Sequence, residues 1–146
     1  MAEIKEKPSL SIIRKLNASP ERVWHACTDA QALKQWMAPS DAFKNLVAET
    51  DVRVGGRYHL VMQAPDGEVH DVSGVYREVV PNRKLVYTWA WKSTPERESL
   101  VTLQLQPAGS GTELTLRHEQ FFDEPVRDRH NEGWNGCLDR LQRFVA

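Results

Sequence analysis

No apolar run in the sequence approaches the ~18 residues of a membrane-spanning helix, which argues against membrane insertion. No charge dominates either: nineteen Lys+Arg stand against twenty Asp+Glu, for a formal charge of −1. Nucleic-acid binding works through phosphate neutralisation and needs a clear basic surplus, so no nucleic-acid partner is expected. Residues 1–8 carry Glu3, Lys5, Glu6 and Lys7 and lack the apolar centre of a signal peptide. They read as a flexible lead-in, and the chain as cytoplasmic. Cysteine is scarce. Cys27 and Cys137 stand far apart at core positions of helices, where two thiols act as small apolar residues rather than as a staple. Also missing are Cys-x-x-Cys, His-Glu-x-x-His, Gly-x-Ser-x-Gly, a phosphate loop and a dinucleotide fingerprint, so neither a metal nor a cofactor is expected. His25 and Cys27 point different ways on a helix, and His59 and His70 are not obviously set opposite each other.

What is present is one domain's worth of chain, 146 residues with 40% hydrophobic content and no repeats, low-complexity tract or second domain. Leu10 to Ala18 has strand character. Ser19-Pro20-Glu21 starts a helix with a hydroxyl cap, a proline in the first turn and an acid beside it. Val23, Trp24 and Cys27 form its stripe. Asp29 closes it and caps a second helix with stripe Leu33, Trp36 and Met37, which Pro39 ends. Alternation then replaces the helical period, predicting strands over 46–52, 57–63, 69–80, 84–91, 100–106 and 113–119. Gly55-Gly56, Pro65-Asp66-Gly67, Pro81-Asn82, Pro95 and 107–111 break them into hairpins. Residues 123–146 predict a long helix whose inner stripe is Val126, His130, Trp134, Cys137, Leu138, Leu141, Phe144 and Val145. Gly133 and Gly136 flank Trp134. Each costs the helix roughly 1 kcal/mol relative to alanine, which a close approach of sheet or ligand would offset.

The order β-α-α-β6-α predicts an α+β fold in which a curved antiparallel sheet covers its apolar face with the last helix. Period two turns Tyr58, Leu60 and Met62 inward, then Val72, Gly74 and Tyr76, then Leu85, Tyr87, Trp89 and Trp91 against Val86, Thr88 and Ala90. On the final strand it turns Leu114, Leu116 and His118 inward. Five Trp beside four Phe and three Tyr is an unusual balance. Rings with an N–H or O–H handle lining an interior, with one imidazole among them, suit a small-molecule cavity better than a solid core.

Several segments resemble the START-like helix-grip (SRPBCC) superfamily, and most closely the family named for the C-terminal domain of the Hsp90 ATPase activator. They are Ala18-Ser19-Pro20-Glu21-Arg22-Val23-Trp24, Leu33-Lys34-Gln35-Trp36, Val54-Gly55-Gly56-Arg57-Tyr58, Gly74 through Pro81, Lys84 through Trp89, Gly111 through Leu116, and Gly133-Trp134. The resemblance runs from about residue 10 to the end. It implies a deep cavity between sheet and last helix, usually for a hydrophobic or aromatic small molecule, with Trp36, Tyr58, His118 and Trp134 contributing. The superfamily includes carriers, polyketide aromatase/cyclases and resistance proteins, so fold alone selects no activity.

The expected site is therefore Trp36, Tyr58, Leu60, Met62, Tyr76, Tyr87, Trp89, His118 and Trp134. His118 reads as a satisfied core histidine or a ligand anchor before a general acid or base, because no second polar group is clearly placed beside it. His130, on or near the inner stripe, is the candidate for that second group. Three functions follow: binding of a hydrophobic or aromatic small molecule, an aromatase/cyclase-type enzyme on a polyketide-like substrate, or an Hsp90-related co-chaperone. The aromatic interior favours the first two, and the shortage of interior acids and bases favours binding without a catalytic residue. A homodimer through an exposed sheet edge is compatible with the sequence.

Overall fold

Two side-chain caps punctuate the N-terminal third. In the computed structural model, which describes residues 7–146, strand β1 (Leu10–Leu16) leads to helix α1 (Pro20–Thr28), where the Ser19 hydroxyl accepts from Arg22 N at 3.2 Å. Asp29 ends α1 and starts α2 (Ala30–Trp36), accepting from Ala32 N at 3.0 Å. The expected flexible lead-in falls mostly outside the described residues. At its end, the Pro8 carbonyl accepts from Phe121 N at 3.2 Å.

Six strands follow: β2 (Lys44–Thr50), β3 (Arg57–Gln63), β4 (Val69–Val80), β5 (Lys84–Trp91), β6 (Ser99–Ala108) and β7 (Gly111–Glu119). Helix α3 (Glu124–Val145) closes the chain. The fold is the expected α+β helix grip. Each strand from β2 to β7 pairs antiparallel with the next, and β1 adds to β7, giving one curled sheet in the order β1-β7-β6-β5-β4-β3-β2. β1 and β2 are its edges.

The inner face is Tyr58, Leu60, Met62, Val72, Tyr76, Leu85, Tyr87, Trp89, Val101, Leu103, Leu105, Leu114, Leu116 and His118, all buried. Strand period alone does not account for β5, where the outward Val86 and Thr88 are buried as well. The β4–β5 register shifts between Tyr76 and Glu78. Beside that bulge the Thr88 hydroxyl accepts from Val75 N at 2.8 Å. A Cβ at Gly74 would overlap the Thr88 carbonyl, so glycine permits the approach.

Asp123 caps α3, accepting from Val126 N at 3.0 Å. Trp134, Cys137, Leu138, Leu141 and Val145 are its buried stripe. Phe144 departs from expectation at 40% exposed, because Val145, one turn after Leu141, takes the inward place. Arg14 on β1 reaches Asp139 at 2.8 Å and the Asn135 side chain at 3.0 Å. Arg140 donates to the carbonyls of Trp36 (3.0 Å) and Gln35 (3.1 Å), which satisfies the C-terminal end of α2 and fixes α3 beside it. Gly136 permits this approach: a Cβ there would overlap the Pro39 carbonyl.

Among the described residues no helix is long and apolar enough to cross a membrane.

Candidate functional site

Two tryptophan–histidine pairs stand where β5, β7 and the first half of α3 meet. Trp134 Nε1 donates to His118 Nδ1 at 2.9 Å, and Trp91 Nε1 donates to His130 Nε2 at 2.9 Å. An indole N–H can only donate, so each contact fixes the imidazole tautomer. His118 therefore carries its proton on Nε2, which donates to the Ser99 hydroxyl at 2.7 Å, and that hydroxyl donates to the Trp89 carbonyl at 3.2 Å. His130 carries its proton on Nδ1, which donates to the Val126 carbonyl one turn back on α3 at 2.8 Å. Phe121 packs against both rings, with centroids 4.1 Å from His118 and 4.9 Å from His130.

Both imidazoles are neutral. Burial holds His118 well below the usual histidine range, and the nearby His130 pushes it the same way. Burial also lowers His130, partly opposed by its bond to the Val126 carbonyl, with Arg129 adding to the fall. The sign of the pH dependence follows. Below pH ~6.5 the unfolded chain takes up protons that the native chain refuses, so stability falls as pH drops, by up to ~1.4 kcal/mol per pH unit for each histidine. Above that pH these groups add no slope. Urea unfolding midpoints at pH 7.5 and 5.5 check this; equal midpoints would mean the native imidazoles are not held neutral. Burial pushes the Cys27 and Cys137 thiols up to about 12, which leaves them protonated and poorly nucleophilic.

Beside this wall a cleft of about 940 Å3 opens between the sheet and the first half of α3. Trp89, Trp91 and Trp134 border it, with Met62, Phe121, His130 and Gly133. The Trp89 ring centroid lies 5.4 Å from that of Trp91 and 5.1 Å from that of Trp134. Trp89 Nε1 is the one buried side-chain polar atom without a hydrogen-bond partner among the described residues.

Of the nine residues expected at the site, Met62, Trp89 and Trp134 border this cleft. The other six belong to the packed interior. Tyr58, Tyr76 and Tyr87 pack on one another with centroids 5.2–6.0 Å apart, and the Tyr58 hydroxyl donates to the Thr88 carbonyl at 2.6 Å. Burial raises all three phenols, so they remain protonated. Tyr58 lies ~13 Å along β3 from Met62, at the strand's other end. Leu60, between them in sequence on the same face of β3, is buried in the core that includes Tyr58. Trp36 Nε1 donates to the Ala26 carbonyl at 2.9 Å, which pins α2 to α1. His118 is fully buried behind Trp134 and has both nitrogens engaged.

Several cleft residues lie outside the expected set. Trp91 was legible as inward-facing on β5. Phe121 and Phe122 follow β7, where Gln120 takes a φ of 67° and ends the alternation that would have oriented them. Phe43 and His70, centroids 6.1 Å apart, come from a loop and a strand start.

A curled antiparallel sheet gripping a long C-terminal helix, with a ring-lined cleft between them, defines a START-like helix-grip domain. The chain belongs to the family of Activator of Hsp90 ATPase homolog 1-like proteins, whose family model matches residues 17–146. Over 117 residues it is 28% identical to human "Activator of 90 kDa heat shock protein ATPase homolog 1", and 26% identical to the mouse protein. The match covers 80% of this chain and 30% of those relatives, so the chain spans under a third of their length. Among solved structures, protein CV1439 from Chromobacterium violaceum superposes with a TM-score of 0.81 at 29% identity, covering 94% of this chain and 96% of that one. CalU16 from Micromonospora echinospora superposes with a TM-score of 0.73 at 29% identity, covering 94% and 76%.

Proposed function

We propose that this protein binds a hydrophobic or aromatic small molecule in the cleft between the sheet and the first half of α3. The observation that carries the reading is the clustering of three indoles, Trp89, Trp91 and Trp134, around an open volume of about 940 Å3. That volume lies in the ~300–1,000 Å3 range of small-molecule sites. Binding is favoured over catalysis because the interior imidazoles are engaged on both nitrogens and the thiols are held protonated.

Titration with a panel of apolar aromatic compounds is expected to change intrinsic tryptophan fluorescence in a saturable way, because three of the five indoles border the site. A panel that gives only linear, inner-filter changes would remove this reading. A second reading, an Hsp90-linked interaction domain, is supported by family membership and by the name of the human relative. Absence of purified Hsp90 on the immobilised chain at micromolar concentration would rule it out.

A further inference from the structure

The rim of the cleft differs in chemistry from its walls. Its charged residues are Lys92 and Arg97 on the β5–β6 connection, Arg129 on α3, Glu68 in the turn before β4 and Asp71 on β4. Asp71 is already engaged, its Oδ1 2.9 Å from His59 Nε2. Among the described residues none of the three cations lies within 4.0 Å of a carboxylate. His130, also on the cleft wall, adds no charge because burial and its two hydrogen bonds hold it neutral. Arg97 is held in place without being neutralised: its guanidinium carbon sits 3.8 Å from the centroid of the Phe122 ring, on the opposite connection. The rim thus carries a surplus of one positive charge above a floor of indoles.

From this pairing we infer that the guest is an aromatic monocarboxylate, its ring among Trp89, Trp91 and Trp134 and its carboxylate at the rim beside Arg97 and Arg129. This rests on the binding reading above and specifies the class of ligand. A monoanion matches the surplus charge, whereas a dianion would leave one charge unmatched. Arginine suits the role because its planar fork meets a carboxylate through two parallel hydrogen bonds. The hydroxyls of Ser93 and Thr94, also on the cleft's lining, offer further donors.

The test uses the full chain and three probes on one bicyclic skeleton: 2-naphthoate, 2-naphthamide and 2-naphthylmethylammonium, titrated by calorimetry. The carboxylate is expected to bind about tenfold tighter than the amide at low salt, from two to three partly exposed charge contacts, and the ammonium weakest. Raising salt to 0.5 M should shrink the carboxylate-to-amide ratio, since exposed charges are screened. In an Arg97→Gln/Arg129→Gln chain the ratio should fall towards one, while the circular dichroism spectrum stays native. Equal binding of all three probes, preference for the ammonium, or an unchanged ratio in the double variant would overturn the inference and leave the cleft as a neutral aromatic site. If no probe binds at millimolar concentration, the binding reading fails, and the inference with it.

Discussion

A His118→Ala chain is expected to lose about 4–6 kcal/mol of stability, enough to leave it largely unfolded if the parent has the ordinary ~5–15 kcal/mol. The side chain is fully buried between β6, β7 and α3, and truncating it opens a void of nearly a ring. It also orphans one buried donor: Trp134 Nε1 loses its only acceptor, at ~1–3 kcal/mol, while the Ser99 hydroxyl loses the His118 N–H but still donates to the Trp89 carbonyl. His118→Asn is the informative companion. Its amide oxygen falls near the place of Nδ1 and can still accept from Trp134, so a smaller loss, about 2–3 kcal/mol, is expected. In a double-mutant cycle, His118→Ala and Trp134→Phe should be non-additive by ~1–2 kcal/mol, because the second change removes the donor that the first orphans. Urea unfolding monitored by far-ultraviolet circular dichroism measures all three. A His118→Ala chain that unfolds within ~1 kcal/mol of the parent would show that the imidazole is not part of the frame, and would reopen a catalytic role for it.

How much of this was legible beforehand divides along a physical line. Strands β3, β4 and β5 end where alternation and turn residues place them, since Gly55-Gly56, Pro65-Asp66-Gly67 and Pro81-Asn82 leave the chain few other ways to turn. Period two also sorts inside from outside on β3 and β7, which turns His118 inward. It carries no information about position along the strand axis. Tyr58 and Met62 share one face of β3, yet one closes against other tyrosines and the other meets open space. Telling them apart requires knowing where α3 crosses the sheet, which depends on Arg140, Arg14 and the approach at Gly136 together. Trp36 is a related case: a helical stripe says that a ring is buried but not against what, and here its N–H meets the Ala26 carbonyl of α1. Phe121 and Phe122 lie in a connection with no period, so only the tertiary structure separates the buried ring from the exposed one.

The two helical glycines give the sharpest test of where a guest sits, because one position faces open space and the other does not. A Cβ built at Gly133 meets nothing within 4 Å, and this residue lies on the cleft one turn from both His130 and Cys137. Gly133→Ala should therefore stabilise the chain by about 0.5–1 kcal/mol, through helix propensity alone. Gly133→Met keeps that gain while sending a long, flexible side chain into the volume beside Trp134. Aromatic probes should then bind at least about 100-fold more weakly, since a guest cannot share space with the thioether; that is ~2.7 kcal/mol of lost affinity. Gly136, three residues on, behaves oppositely. A Cβ there overlaps the Pro39 carbonyl, so Gly136→Ala must shift α3 away from the end of α2 and is expected to cost about 1–3 kcal/mol despite its better propensity. Thermal unfolding and probe titration on the same three variants separate the two effects. Native-like affinity in a folded Gly133→Met chain would mean that the guest occupies some other part of the molecule. The close approach that Gly136 permits acts with the Arg140 and Arg14 bonds to set where α3 lies, and Gly133 leaves the space beside it open, so the two glycines bear on both the position of the helix and the room beneath it.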